Sequence, residues 1–179
     1  MATAPVPESN LAARMALVEQ HVRFENQHDL ERVLETFGRV AEYQDCPWAL
    51  RYDGRDGVGH FYTQLMKALP DLQIEILRRH VSEETIVLEV MIRGTHLGEW
   101  KGLAPTGRRV ELPLCGIYTF DADNRLAGEK IYYDRGTVLR QLGVFHEPDT
   151  VVGKVTTLIT HPISVGRALV RSIFVRRAA

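Results

Sequence analysis

The sequence is poor in cysteine and has no long apolar run. Its two cysteines, Cys46 and Cys115, lie far apart and in no metal-ligand spacing, which excludes a disulfide scaffold. No apolar stretch reaches the roughly 18 residues that a membrane span needs. The N-terminal segment carries Glu8 and Glu19 and shows no secretory signal. We therefore expect a reduced, cytoplasmic protein.

The chain also lacks an excess of charge. A net charge of -1 gives no general bias toward nucleic acid, so we expect no nucleic-acid partner. The length of 179 residues favours one domain with an appendage. Charge is nevertheless uneven, because residues 150–179 contain five basic residues and no acidic ones: Lys154, Arg167, Arg171, Arg176 and Arg177. A basic tail thus follows an acidic body.

The hydrophobic spacing changes near Pro70. Before it, apolar residues recur at helical intervals, and Asp29 is a candidate N-cap. The predicted helices cover residues 11–26, 30–37 and 58–69, with a short strand at 40–45 and a turn-rich loop at 52–57. After it, the predicted strands cover residues 72–79, 85–93, 96–101, 109–121 and 126–134, and a short helix covers 136–142.

This order of elements predicts an α+β fold. The N-terminal helices are expected to pack into the concave face of a curved, mixed, mostly antiparallel sheet, which leaves a pocket open at one end. The predicted organisation is a disordered segment at residues 1–10, a folded domain at 11–145 and a basic helical extension at 146–179.

Four short segments resemble a known family: Tyr43-Gln44-Asp45 before Tyr52 to Gly57, Gly94 to Gly98, Gly102 to Arg109, and Asp134 to Gly143. Over about residues 12–143 the chain resembles the SnoaL-like polyketide cyclases of the nuclear-transport-factor-2-like superfamily. The resemblance implies a cone-shaped sheet around the helices, a homodimer and a cavity for a small hydrophobic molecule. It also implies cofactor-free proton transfer on a carbonyl compound, as in aldol-type cyclisation or isomerisation.

The resemblance includes a departure at the catalytic position. In the family's cyclases an acidic residue on the last strand, three positions before the Asp that begins the closing helix, acts as the acid/base. If that Asp is Asp134, the catalytic position holds Ile131, which cannot move a proton. The family's His falls near Ile117 or Tyr118.

Three other side chains are therefore candidate catalytic residues. Asp134 is either a displaced acid/base or the N-cap of the closing helix. His96, between glycines, is either an imidazole that acts near neutral pH or a turn histidine. Asp45 shares a strand face with Tyr43, and the isomerases of the superfamily carry their base on an early strand; the alternative is a solvated strand end.

The predicted substrate-binding residues are mostly aromatic: Tyr43, Trp48, Trp100, Tyr118, Glu129 and Tyr133. The histidines have no ligand spacing, so we predict no metal, and the resemblance implies that no cofactor is needed. Three functions are compatible with this pattern. They are a proton-transfer enzyme, a non-catalytic binding module with the same cavity, and an epoxide hydrolase with an Asp-Arg-Asp set to which Arg93 and Asp134 would contribute.

Two expectations concern assembly. Val87, Met91 and Val110 are candidates for an apolar outer sheet face that forms a homodimer. In the tail, Pro162 can begin an amphipathic basic helix. Its apolar stripe comprises Ile163, Leu169, Val170, Ile173 and Phe174. Such a helix can anchor to a membrane surface or pack on protein, and we favour packing because the acidic body is an electrostatic partner.

Overall fold

A computed structural model describes the backbone of residues 8–177 and the side chains of residues 10–168 and 171. The helices are α1 (Glu8–Asn26), α2 (Leu30–Glu35), α3 (Gly54–Ala68), α4 (Arg135–Gln141), α5 (Val151–Thr160) and α6 (Pro162–Arg177). The strands are β1 (Glu42–Asp45), β2 (Leu50–Asp53), β3 (Gln73–Val81), β4 (Thr85–Thr95), β5 (Arg109–Phe120) and β6 (Leu126–Tyr133). A single 3-10 turn, Cys46–Trp48, joins β1 to β2.

The six strands form one sheet in the order β2-β1-β6-β5-β4-β3. Only the β1–β6 pair is parallel, with Tyr43 beside Glu129 and Asp45 beside Ile131; the other pairs are antiparallel. The predicted α+β fold with a curved, mostly antiparallel sheet is confirmed.

Two hydrophobic clusters hold the helices on the sheet. The larger one joins Val18 and Val22 of α1 to Val58 of α3 and to Ile86 and Leu88 of β4. The smaller one surrounds Trp100 and Val138, and all of its buried members lie between residues 68 and 142. Apolar burial of this kind is the main stabilising contribution to a fold of this size.

Two local predictions were wrong. The loop expected at residues 52–57 is the end of β2 and the start of α3, since Gly54 takes a left-handed φ of 73° that turns the chain directly into the helix. Residues 96–101 do not form a strand. The amides of Leu97 and Gly98 instead donate to the carbonyl of Ala68 at the end of α3, at 3.0 and 3.3 Å.

The C-terminal part, from Gly143 onward, forms a separate compact unit. It contains α6, which begins at Pro162 as predicted, and α5, which the sequence analysis did not predict. Thr150 caps α5 by accepting a hydrogen bond from the amide of Gly153 at 3.0 Å. Of the predicted apolar stripe, Leu169, Val170, Ile173 and Phe174 lie outside the described side chains.

Three further placements bear on the predictions. Helix α1 begins at Glu8, inside the segment expected to be disordered, and residues 1–7 of that segment lie outside the described residues. Val110 points into the core and not outward as expected, because the even-numbered residues of β5 are the buried ones. Over residues 8–177, no helix has both the length and the apolarity to cross a membrane.

Candidate active site

A mostly apolar cavity lies between the helices and the concave face of the sheet. Three carboxyl groups line it, from Glu25 on α1, Asp45 on β1 and Glu129 on β6. Its free volume is about 50 Å³, enough for a few water molecules. Pockets that hold drug-sized ligands are larger, roughly 300 Å³ or more. A ligand of that size would therefore have to displace some of the lining side chains.

His21 of α1 lies behind the cavity wall and is fully buried, at 0% exposure. Its Nδ1 is 2.7 Å from the Thr36 hydroxyl. That hydroxyl donates its one hydrogen to the carbonyl of Val33 at 2.6 Å. Thr36 can therefore only accept from His21, so Nδ1 carries a proton.

The other imidazole nitrogen connects to Glu129 through a tyrosine. The Tyr62 hydroxyl donates to Glu129 Oε2 at 2.6 Å and lies 2.9 Å from His21 Nε2. Because that hydroxyl has one hydrogen, Nε2 donates to it when His21 is protonated, and the raised pKa of His21 favours that form. Glu129 Oε2 also lies 3.3 Å from Nε2. The three side chains thus form one buried, hydrogen-bonded group.

Glu25 completes this buried group. Its Oε2 lies 3.8 Å from His21 Nε2, one helical turn further along α1. Burial raises the pKa of Glu25 from 4.5 to about 8, although the charge of His21 opposes the rise. Burial also acts to lower the pKa of His21, but the charge that Glu25 carries when it is ionised and the hydrogen bond and charge of Glu129 outweigh it, so the pKa is raised. At neutral pH, Glu25 therefore holds a proton.

The spacing of His21, Glu25 and Glu129 would also suit a metal ion, since their ligand atoms lie within 4.8 Å of one another. Both imidazole nitrogens, however, already contact hydroxyl groups within the protein.

Asp45 is held in a different environment, although it is only 1% exposed. Its Oδ2 lies 3.1 Å from Lys101 Nζ, and its Oδ1 accepts a hydrogen bond from the Tyr133 hydroxyl at 3.1 Å. Burial and the charge of Asp45 raise the pKa of Tyr133, so this phenol stays protonated and donates. The ammonium and the hydroxyl thus occupy both oxygens of Asp45.

Most of the predicted substrate-binding residues line the cavity: Tyr43, Trp100, Tyr118, Glu129 and Tyr133. Trp48 is not in the lining, and its ring lies 6.3 Å from that of Trp100. Tyr43 stacks on Phe61 with ring centroids 3.8 Å apart. Burial, followed by the charge of Glu129, raises the pKa of Tyr118 well above its usual range, so this wall stays uncharged.

Two of the predicted catalytic residues lie elsewhere. Asp134 is exposed and caps α4, since it accepts hydrogen bonds from the amides of Gly136 and Thr137 at 2.8 and 3.1 Å. His96 is buried outside the cavity lining, where its Nδ1 accepts from the Thr106 amide at 3.2 Å and burial lowers its pKa. Neither residue shares the cavity with Asp45.

The position expected for the family's acid/base is inside the cavity. Ile131 lines it, and Glu129 lies two residues earlier on the same face of β6. Arg93, considered for an epoxide hydrolase, lies on the other face of β4, where it pairs with Glu75 and Glu111. Arg93 and Asp134 therefore do not form an Asp-Arg-Asp set at the cavity.

Sequence reasoning missed His21, Glu25, Tyr62 and Lys101. One signal was present, because His21 and Glu25 follow Val18 and Val22 on the buried face of α1 at helical spacing. Two ionisable residues on an otherwise apolar helix face indicate a buried site that uses polar side chains. Lys101 has no comparable signal, since its contact with Asp45 depends on the tertiary fold.

The helices packed on one curved, mostly antiparallel sheet define the class as an α+β protein with the ketosteroid-isomerase-like fold. The chain belongs to the SnoaL-like polyketide cyclase family, whose model matches residues 15–142. This confirms the resemblance recognised in the sequence. No curated protein matches the chain.

Solved structures share the fold at low sequence identity. AclR from Streptomyces galilaeus, assigned provisionally as a hydroxylase, is 24% identical with a TM-score of 0.66, over 81% of this chain and 94% of its own. TsrD from Streptomyces laurentii is 21% identical with a TM-score of 0.66, over 75% and 97%. SalBIII, an epoxide hydrolase/cyclase-like enzyme in pyran ring formation in salinomycin, is 16% identical with a TM-score of 0.61, over 69% and 92%.

Proposed function

We propose that the protein is a cofactor-free enzyme that transfers protons on a small, hydrophobic carbonyl compound, in an aldol-type cyclisation or an isomerisation. The observation that carries the proposal is that two carboxyl groups in one cavity have different surroundings. Glu25 holds a proton because it is buried, whereas Asp45 is paired with Lys101. Carboxyl groups that their surroundings drive to opposite states are suited to separate acid and base roles.

Asp45 is the base in this proposal and Glu25 is the acid. The Asp45 carboxylate removes a proton next to the substrate carbonyl, and the electrons of that C–H bond form an enolate. In a cyclisation the enolate attacks a second carbonyl, and Glu25 protonates the new alkoxide. Asp45 then releases to the solvent the proton that it took from carbon, and the Glu25 carboxylate takes up a proton from the solvent. Both carboxyl groups return to their starting states, so no cofactor is consumed.

Glu129, His21 and Tyr62 support the acid. Glu129 occupies the cavity face next to Ile131, where the family's acid/base is expected. The charge of Glu129 is one cause of the raised pKa of Glu25, and His21 opposes it. The three residues thus set how readily Glu25 gives up its proton.

The charges also favour an uncharged substrate. Among the described residues, the cavity lining contains three carboxyl groups and no Lys, Arg or His. A substrate carboxylate would lie beside Glu129 and Asp45 without a cation to pair with, which is costly in an apolar cavity. We therefore expect ketones or esters and not free acids.

Exchange of α-protons tests the proposal without the natural substrate. Acetone and 2-indanone are incubated in D2O, and NMR follows deuterium incorporation with and without the protein. Asp45→Asn should lower the protein-dependent rate by about 10²- to 10⁴-fold, the usual contribution of general base catalysis. Glu111→Gln is the matched control, because Glu111 lies on β5 and is exposed.

A non-catalytic binding module is the competing hypothesis, which the isoleucine at position 131 favours. Saturable binding of 2-indanone without accelerated exchange, in wild-type protein and variants alike, would support that module and contradict the proposal.

A further inference from the structure

Lys101 lies in a tight turn whose backbone does not suit a lysine. Trp100 and Leu103 exchange two backbone hydrogen bonds, at 3.0 and 2.9 Å, around Lys101 and Gly102. Both central residues have positive φ, 53° and 80°, which is the signature of a type I′ turn. The first central position of such a turn favours Asn, Asp or Gly. A lysine there costs about 1 kcal/mol of backbone strain.

The side chain of Lys101 is buried in spite of its charge, with 9% of it exposed. Its Nζ lies 3.1 Å from Asp45 Oδ2 and donates to the Tyr52 hydroxyl at 3.1 Å. The same atom lies 5.5 and 5.8 Å from the ring centroids of Tyr52 and Phe61, within the range of a cation–π contact. The ammonium is thus enclosed by one carboxylate and two aromatic rings.

We propose that Lys101 is a positioning residue, which the strained turn places so that its ammonium pairs with the buried Asp45 carboxylate and holds it oriented toward the cavity. The inference rests on the proposed function, because it gives Asp45 the role of base. A carboxylate that is 1% exposed is costly to bury without a cationic partner, and Lys101 supplies that partner. Lys101 is not in the cavity lining, so it acts through Asp45.

A purely structural turn would call for a different residue. Asn at position 101 would relieve the backbone strain, and Gly102 already occupies the second central position. Local rules of this kind are typically broken where a side chain is needed for function. The lysine is needed for its ammonium and not for the turn. Lys101→Asn separates the structural role from the charge, because it improves the turn while it removes the ammonium.

The experiment compares wild-type protein, Lys101→Asn, Lys101→Met and the exposed-lysine control Lys67→Met. Aspartate is labelled with 13C at the carboxyl carbon, and the Asp45 signal is assigned by its loss in Asp45→Asn. At pH 6 we expect a carboxylate signal in wild type and Lys67→Met, and a protonated signal in both Lys101 variants. In α-proton exchange, the acid limb of the pH profile should move to higher pH in both Lys101 variants, because the buried carboxylate has lost its cation.

An Asp45 signal that stays ionised in both Lys101 variants would overturn the inference. If neither variant folds, the wild-type signal decides, because a protonated Asp45 at pH 6 would equally overturn it. The two proposals fail separately. If the NMR signals behave as expected but no variant catalyses exchange, the enzymatic function is wrong and the role of Lys101 stands. If the protein catalyses exchange but the acid limb is the same in the Lys101 variants, the enzymatic function stands and the role of Lys101 is wrong.

Discussion

Glu25 and Asp45 show how two similar side chains acquire different chemistry in one cavity. Glu25 has no cation closer than the imidazolium of His21 at 3.8 Å, and burial therefore keeps it protonated. Asp45 has an ammonium at 3.1 Å and a tyrosine hydroxyl on its other oxygen. The two carboxyl groups are both buried, so what distinguishes them is the partners that each residue has.

The raised pKa of Glu25 predicts how stability depends on pH. The folded protein keeps a proton up to about pH 8 that the unfolded chain releases near pH 4.5. Stability from this group is therefore fully present below pH 4.5 and is lost as the pH rises toward 8. His21, whose pKa is also raised above 6.5, acts in the same direction from that value upward.

Glu25→Gln should flatten this dependence, because an amide does not titrate. In urea denaturation between pH 5 and pH 8, its slope should be shallower than that of wild type by up to about 1.4 kcal/mol per pH unit. Glu19→Gln, on the exposed side of α1, is the control and should keep the wild-type slope. Equal slopes in wild type and Glu25→Gln would show that Glu25 is ionised in the fold.

At the scale of elements, α4 depends on its cap. Asp134 accepts hydrogen bonds from the Thr137 hydroxyl and from two amides of the first turn. The bond from the hydroxyl is the largest cause that lowers the pKa of Asp134, and the two amides act in the same direction. The helix carries Val138, which is fully buried in the smaller hydrophobic cluster. Weakening the cap therefore affects the packing next to the cavity.

Asp134→Ala should lower the free energy of unfolding, whereas Asp134→Asn should largely preserve it, since an amide oxygen also accepts from backbone amides. Both variants should keep the rate of α-proton exchange, because Asp134 is exposed and outside the cavity lining. Chemical denaturation and the exchange assay check the two parts. If Asp134→Asn were as stable as wild type but no longer catalysed exchange, Asp134 would be a catalytic residue.

At the scale of the whole molecule, we expect a homodimer formed by the outer sheet face. Val87 and Met91 lie on the less buried face of β4, opposite Ile117 and Pro113 of β5. Val110 is excluded from that surface by its burial.

The C-terminal unit has apolar side chains that need cover, with Val151 79% and Ile159 71% exposed. We propose that protein covers them and not a membrane surface.

Truncation after Gly143 tests this proposal. Because a protein surface would lose apolar contacts with the tail, the truncated chain should have a lower melting temperature or a lower mass by light scattering than the full chain. Wild-type protein at micromolar concentration should have the mass of a dimer. An unchanged melting temperature and mass, together with lost binding to anionic liposomes, would assign the tail to membranes.

Local pattern alone predicted the elements with a strong period. The helical spacing of α1 and the cap at Asp29 follow from interactions within a few residues, as does the alternation in β5. The same alternation placed Glu129 on the face of Ile131. The start of α3 was misplaced because Gly54 signals a turn and a helix equally well.

Only the tertiary structure decided which groups meet. Tyr62 reaches Glu129 across 67 residues, and Tyr133 reaches Asp45 across 88. These contacts exist because β1 pairs in parallel with β6 and because α1 and α3 pack against the concave face. Periodicity determines which face a side chain occupies, but it contains no information on which distant faces come together. The elements were thus readable in the sequence, whereas the proton on Glu25 and the ammonium beside Asp45 depend on burial and long-range contact.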